Sequence, residues 1–461
     1  VLEKKIEPDK LIADFRLARQ ALEEGHSGVY RYTSKEELDG LFDRAEKSLI
    51  RPMSAVEFYR ILAPVVAAIK CGHTGVGLPE EMQMAYSTKA LLLPLRIRVL
   101  AGKVYILRDF SDGATNLAGR EIRAINGIPA AKIVETMLAI TPGDGDSQTC
   151  RISGMSGWTI ARRLPALLGM HSPYQVTVWD AKEHREATVH LEGKTLPRLQ
   201  AAARAKFPKD QRAETAGEFK LEDEGKSAVM KINGFGGFVD TAHEKTLREF
   251  YRESFEAMNN SGTKSLILDL RDNGGGEDEL GKLLLSYLLD GPFKYYDDLV
   301  INARQFGFQK YTDHTEPLPA DDLERQPNGK FRMVKHPNWG MQQPSKPTFH
   351  GKVLILINGG SFSTTSEFLS QAHFHKRATF IGEESGGGYY GNTSGPRLRL
   401  TLPHSRVQVA VPLMTYYMAV QGYPAKAHGV VPDYPVNYTI EELLDGEDKE
   451  LALAFELARK P

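Results

Sequence analysis

Leu356-Ile-Asn-Gly-Gly-Ser-Phe-Ser-Thr-Thr-Ser-Glu-Phe-Leu369 is the stretch that decides the fold. An apolar run enters a Gly-Gly turn and leaves it through a hydroxyl cluster, the pattern of a strand feeding a helix. A serine at that junction has helix N–H groups and the positive end of the helix dipole beside it, which suit a developing oxyanion. Ser and Thr are also the preferred helix caps, so the cluster alone reads as a cap too. A second strand end repeats the theme in Leu268-Asp-Leu-Arg-Asp-Asn-Gly-Gly-Gly276. Three glycines there let backbone N–H groups face a ligand with no side chain in the way. Both motifs fall at carboxyl ends of sheet strands, where open α/β sheets bind ligands.

Working outward, strand and helix patterns alternate: strand Ser227–Ile232, helix Thr241–Met258, strand Ser265–Leu270, helix Asp278–Leu289, strand Val353–Ile357, helix Thr364–His373, strand Thr379–Gly382. That order predicts a mostly parallel sheet with helices packed on it. The segment 290–350 is polar and Pro-rich and reads as an excursion forming a lid or rim. Glu192 to Gly225 reads as a mobile charged connector. Upstream, 91–191 turns to short strands, Leu95–Leu100, Lys103–Arg108, Gln175–Trp179 and Glu186–Leu191, with Asn126-Gly127 as a tight-turn signal. Residues 142–172 look like an insertion, Gly-rich first and then helical over Thr159–Leu168. The first 88 residues read as helical. Asp9 caps Lys10–Glu24, a capping box at Ser34–Glu37 opens a second helix through Leu49, and a third runs from Ser54 to Ile69 with a kink at Pro64. Three parts follow: an N-terminal helical domain 1–88, a domain 89–195 with the insertion 142–172, and an α/β domain 196–461.

Composition narrows the function classes. Lys+Arg 58 against Asp+Glu 59 gives a formal net charge of -1, so no global field favours nucleic acid or an anionic membrane. Apolar runs such as Leu91–Leu93 are too short for stable membrane insertion. Only two cysteines, Cys71 and Cys150, are present. That excludes a disulfide scaffold, and their spacing suits no metal site. Cys71 beside Gly72-His73 can be read as a thiol nucleophile or as a small buried hydrophobe. His373-x-His375 does not share a helix face and reads as a helix end rather than a metal pair. Tyr389-Tyr390 and Tyr416-Tyr417 line a groove or simply pack, and Trp158 and Trp179 are expected in the core. The sequence begins at Val1, with no Met and no signal h-region, so a leader is expected to be absent from it.

The glycine stretch, Ser363-x-x-x-Glu367-Phe368, Ile381-Gly-Glu-Glu-Ser-Gly-Gly-Gly388 and Gly429-Val-Val-Pro-Asp433 stand in one order. In that order they resemble serine peptidase family forty-one. The family includes the tail-specific (C-terminal processing) proteases, the tricorn core protease and the interphotoreceptor retinoid-binding protein. Gly119–Ala130 resembles the strand-turn-helix of a PDZ domain, although Leu92-Leu93-Pro94-Leu95 replaces the expected Gly-Leu-Gly-Phe-like loop. Cys71-Gly-His-Thr-Gly75 resembles the His-bearing loop of tricorn-like members. The resemblance implies a crotonase/Clp-protease-like spiral α/β core with a PDZ-like domain and an N-terminal helical domain. It further implies a serine-type endopeptidase or carboxy-terminal processing peptidase, a peptide or protein substrate, no metal or organic cofactor, and an extracytoplasmic (periplasmic or secreted) location.

Carried over by position, Ser363 is the nucleophile, with Ser361 as a poorer-matching rival. The N–H groups of Gly275 and Thr364 form the oxyanion hole, Gly274 and Gly276 shape the turn, and His73 is the general base. Two departures stand out. Gly388 occupies the place of the Lys in Ser–Lys members, and Lys426 occupies the place of the acid in tricorn-like members. The third catalytic group is then missing or comes from elsewhere, with Glu384 and Glu367 as candidates. A base within about 2.6–3.2 Å of the nucleophile is required, so His73 and Ser363 are expected within that reach. A non-catalytic ligand- or peptide-binding protein on the same fold is the alternative. Oligomeric state is open.

Overall fold

A computed structural model describes residues 4–113, 116–181, 183–210, 215–240 and 242–460. The apolar runs around the two motifs become neighbouring strands. Ser265–Asp269 lies between Ser227–Ile232 and Lys352–Ile357, parallel to both, and Thr379–Gly382 and Tyr434–Pro435 extend the sheet in parallel. Only the hairpin partner Gly217–Glu222 runs antiparallel. Every residue of Ser265–Asp269 is buried, as a strand covered on both faces demands. Parallel strands end on the same side, so the Gly274–Gly276 turn and the Asn358–Ser363 turn emerge together. The helix Thr364–Phe374 follows the second turn and is buried through its first nine residues, from Thr364 to Ala372.

The helix Lys449–Arg459 packs under this sheet, against the Ser265–Asp269 and Lys352–Ile357 strands. Arg271 latches it there by bonding Asp269, Asp448 and Glu450 at 2.7 to 3.0 Å. Segment 290–350 is not a loose lid. Tyr296–Ile301, Leu323–Arg325 and Phe331–Met333 join Gln408–Met418, Thr393–Thr401 and Gly75–Gly77 in a second, antiparallel sheet. Leu323–Arg325 and Phe331–Met333, three residues each, are too short to show alternation, so the sequence pattern missed them. The third sheet, in 89–195, pairs Leu95–Leu100, Lys103–Asp109, Glu121–Ile125, Tyr174–Asp180 and Arg185–Leu191 antiparallel in that order. The helix Thr159–Leu168 is where its pattern put it.

The N-terminal helices are Pro8–Gly25, Lys35–Lys47 and Ala55–Ala67. Glu7 rather than Asp9 precedes the first, because Pro8 is best tolerated in the opening turn, where its missing N–H costs nothing. Ser54 and Glu57 form the reciprocal capping box at the third helix. The first helix docks on the second sheet: buried Asp14 accepts the N–H groups of His404 and Ser405. Two further expectations are corrected. The stretch 192–225 contains a helix, Leu196–Lys206, and the strand Gly217–Glu222, so it is no mobile connector, though 211–214 lie outside the described residues. The helix expected from Thr241, itself outside the described residues, is Leu247–Ser261, preceded by a small hairpin and capped by Thr246. Trp158 and Trp179 are half-buried at the edges of the core rather than inside it.

Candidate active site

Ser363 sits one residue before its helix in a conformation L-residues avoid, with φ 59 and ψ -127. Such backbone costs on the order of 1–3 kcal/mol and persists only where the surroundings impose it. They do so here. Phe362 N–H donates to Asn273 O, and the Thr365 hydroxyl donates to the same oxygen, so the serine turn is stitched onto the glycine turn. Gly275 packs directly against it. A Cβ on Gly275 would stand 2.7 Å from Ser363 Cβ.

His73 reaches this serine from the other end of the chain. Its Nε2 lies 3.0 Å from Ser363 Oγ, across 290 residues of sequence. The loop Cys71–Gly75 is held by the strand Gly75–Gly77, which pairs with Gln408–Ala410 of the second sheet. The Phe362 ring stacks on the imidazole, with centroids 4.7 Å apart. Burial lowers the His73 pKa below its usual 6.5, against a raising influence from Asp144 and with a smaller lowering from Arg397. Its Nδ1 is buried and has no hydrogen-bond partner among the described residues.

A cavity of about 390 Å³ opens on this pair, lined by Gly276, Thr364, Glu367 and Arg397 among others. Of the two N–H groups assigned to an oxyanion, Thr364 N–H, at the helix start, has no acceptor among the described residues. Gly275 N–H differs. It donates to Asn273 Oδ1 at 3.0 Å, whereas Gly276, expected only to shape the turn, lines the cavity with its N–H unengaged among the described residues. Gly274 borders open space. A glycine-rich run identifies such a turn, and the register of its amides depends on an Asn side chain that spacing cannot reveal.

Ser361 does not compete for the cavity. It is fully buried, donates to Leu270 O at 2.8 Å and accepts from Asn358 N–H. Glu384, a candidate third group, is turned elsewhere: its Oε1 takes His428 Nδ1 at 3.1 Å and Gly429 N–H at 3.0 Å. Glu367, the other candidate, sits behind the cavity. It accepts from Tyr296 Oη at 2.7 Å and Asn392 Nδ2 at 2.8 Å. Burial first, then the neighbouring Asp278, pushes its pKa up to about 7. Neither bonds His73.

The acid nearest the imidazole is one that sequence reasoning passed over. A ring nitrogen of His73, the Cys71 thiol and a carboxylate oxygen of Asp144 lie within 4.8 Å of one another. Asp144 comes from the Gly-rich start of the 142–172 segment, Gly143-Asp-Gly-Asp146, where an Asp between glycines reads as a turn residue. Cys71 is buried and donates to Thr393 O at 3.3 Å; burial and Asp144 push its pKa up to about 12, so it is an inert thiol. His373 bonds Tyr389 Oη and packs edge-on against it and Tyr423, while His375 faces Phe293 and Phe374, so the pair shares no ligand. Tyr389 and Tyr416 are buried; Tyr416 lines the cavity, and Tyr417 is exposed beneath Arg31.

No curated protein matches this chain. Among solved structures, mature CPAF is similar over 98% of this chain and 97% of that one, at 14% identity and TM-score 0.66. The structure of mature CPAF complexed with lactacystin gives the same identity and TM-score over 98% of each chain. A putative peptidase from Parabacteroides merdae ATCC 43184 is similar over 99% and 98%, at 15% identity and TM-score 0.50. At such identities the likeness is one of fold, and it spans nearly the whole chain. Residues 226–436, which hold the three glycines, Ser363 and the Gly429–Asp433 stretch, match the model of peptidase family S41.

Proposed function

We propose that the protein is a serine-type peptidase that cleaves peptide or protein substrates through an acyl-enzyme on Ser363, with His73 as general base. The match of residues 226–436 to the model of peptidase family S41 supports the reaction class. The observation that carries the mechanism is the 3.0 Å approach of His73 Nε2 to Ser363 Oγ. That approach is within reach for proton transfer, at a serine held in strained backbone beside a cavity. Ser363 Oγ bonds the scissile carbonyl carbon as its proton passes to His73 Nε2. The oxyanion meets the Thr364 N–H and an amide of the glycine turn, Gly276 or, once released from Asn273, Gly275. His73 then protonates the leaving amine, and water repeats the sequence to free the acyl group. The reading covers internal cleavage and carboxy-terminal processing alike, and the family resemblance favours action outside the cytoplasm.

A fluorophosphonate probe tests it. The wild type is expected to be labelled on Ser363, and Ser363→Ala to lose labelling and turnover while melting like the wild type. The unpartnered His73 Nδ1 favours a second reading, a peptide-binding protein without turnover. Saturable peptide binding with no labelling of any serine would establish it in place of the first.

A further inference from the structure

A histidine acting as base needs its far nitrogen fixed. If Nδ1 carries the proton, Nε2 is free to take another; in the opposite tautomer the base is blocked. His73 Nδ1 is buried without a partner, and the two carboxylates that sequence offered for it are bonded elsewhere. We propose that Asp144 is the positioning residue for His73, its carboxylate receiving Nδ1–H and holding the tautomer in which Nε2 faces Ser363. The inference rests on the peptidase reading above.

Four observations carry it. Asp144 is 1% exposed, and a carboxylate that deep requires compensation. Its Oδ1 accepts Gly72 N–H at 2.7 Å, the amide next to His73, and its Oδ2 accepts Gly388 N–H at 3.3 Å. The carboxylate is therefore anchored to the loop that carries the base and to the Gly-rich segment beside the nucleophile. The loop around it is fixed: Gly145 N–H donates to Lys70 O, Asp146 N–H to Ala427 O, and the Asp146 carboxylate pairs with Lys70 at 2.7 Å. Gly145, at φ 60, passes so near Ala427 that a Cβ there would lie 2.1 Å from its carbonyl oxygen. The acid is thus held in place before any substrate arrives, which is what orienting a base requires. Finally, Asp144 biases the ionisation of Tyr32, Cys71, Cys150 and His73, and of these only His73 becomes a cation. The imidazolium formed in the reaction is the charge this carboxylate is placed to balance. A ring nitrogen of His73 and a carboxylate oxygen of Asp144 lie within 4.8 Å of one another, and catalytic hydrogen bonds often tighten in the reacting complex.

The groups that bear on His73 are Asp144, which raises its pKa, Arg397, which lowers it, and His26 and Cys71. Burial holds His26 down at about 3 and Cys71 up at about 12, so both are neutral across the working range. Removing the Asp144 charge therefore leaves Arg397 unopposed and moves the His73 pKa further down.

The test uses the full chain and Asp144→Asn, with Cys71→Ser as a control in the same cluster. Asp144→Asn is expected to lower kcat by roughly 10³–10⁴-fold with KM within a few-fold, and to move the acidic limb of the pH–rate profile to lower pH. Cys71→Ser is expected to keep wild-type kcat and the wild-type pH profile. A purely structural role for Asp144 would lower the melting temperature and leave that limb in place. A second measurement needs neither turnover nor the variant. In the fluorophosphonate-modified wild type, a downfield imidazole N–H resonance, assigned by its loss in His73→Ala, is expected. In the unmodified protein the same resonance reports the Asp144 bond even without activity. A wild type that shows the resonance but never labels overturns the peptidase reading and leaves the pairing standing. An active wild type without the resonance, or Asp144→Asn with kcat within tenfold of wild type, overturns the role of Asp144.

Discussion

Gly275→Ala probes whether the glycine turn and the serine turn are one rigid unit. The new Cβ would meet Ser363 Cβ at 2.7 Å, Phe362 O at 2.9 Å and Thr364 N at 3.0 Å. Ordinary contact begins at 3.4 Å, so the two turns must part by about 3.4 - 2.7 = 0.7 Å. Gly275 also sits at φ 96, which adds about 1–2 kcal/mol of backbone strain for an L-residue. Neither turn can absorb the shift alone, because Phe362 N–H and the Thr365 hydroxyl both bond Asn273 O. Ser363 therefore moves relative to His73, whose 3.0 Å contact has little to spare before it ceases to be a hydrogen bond. Misplacement approaching 1 Å costs about 10²-fold in rate. Distortion of the oxyanion site adds to this, at about 10²-fold for one donor lost.

The expected result is turnover lower by about 10²–10⁴-fold and a melting temperature lower by several degrees. Initial rates on a peptide substrate, second-order rates of fluorophosphonate labelling and thermal melts read the two effects separately. Gly274→Ala, whose methyl enters open space, is expected to melt within about a degree of wild type. If Gly275→Ala kept turnover within threefold and melted like wild type, the two turns would not be the rigid unit described here.

His73→Ala is expected to lower turnover by about 100-fold or more and to abolish the acidic limb of the pH–rate profile. Burial lowers the His73 pKa, and the base works only when neutral, so the wild-type limb should fall below pH 6.5; a midpoint above it would contradict the burial argument. Glu367 carries the opposite shift, from its ordinary 4.5 up to about 7. The folded state then holds a proton between those values that the unfolded chain releases, and stability falls as pH rises through that window. Glu367→Gln should flatten this slope and gain about 3 kcal/mol on the wild type between pH 4 and pH 8, read from denaturant midpoints. Parallel profiles for the two proteins would show that the burial of Glu367 is misjudged.

Much of the core was legible because its signals are local. Ser265–Asp269 and Lys352–Ile357 are unbroken apolar runs, and each ends in glycines that no buried strand would keep without reason. The strand-to-helix turn that carries Ser363 was legible for the same reason. His73 was legible only through resemblance, since one His in a Gly-flanked loop looks like any loop residue. What failed were the long-range pairings. Glu384 lies in a motif that looks catalytic, yet its carboxylate turns toward His428, a residue 44 positions away whose approach nothing in sequence announces. Asp144 was invisible because its meaning lies in what surrounds it: Gly72 and Gly388, 72 and 244 residues distant. Of the strands within 290–350, Leu323–Arg325 and Phe331–Met333 went unread because they are short, and Tyr296–Ile301 because its partner Gln408–Met418 lies far along the chain.

The site's distribution along the chain has a structural consequence. The family match begins at residue 226, so it contains Ser363 and the glycine turn but neither His73 nor Asp144. His73 stands just before a three-residue strand whose register, Gly75 opposite Ala410 and Gly77 opposite Gln408, is set by the second sheet. That sheet is tied in turn to the first helix through Asp14 and the turn at His404–Ser405. Because side chains alternate faces along a strand, a register slip of one residue at Gly75–Gly77 would displace the His73 loop by about 3.4 Å. That shift exceeds what the 3.0 Å contact with Ser363 tolerates. Packing between the N-terminal helices and the second sheet is therefore part of the geometry that brings His73 to Ser363. Asp14→Ala, at a residue that does not line the cavity, is expected to lower turnover by loosening the His73–Ser363 contact that His73→Ala removes outright, read from initial rates on a peptide substrate.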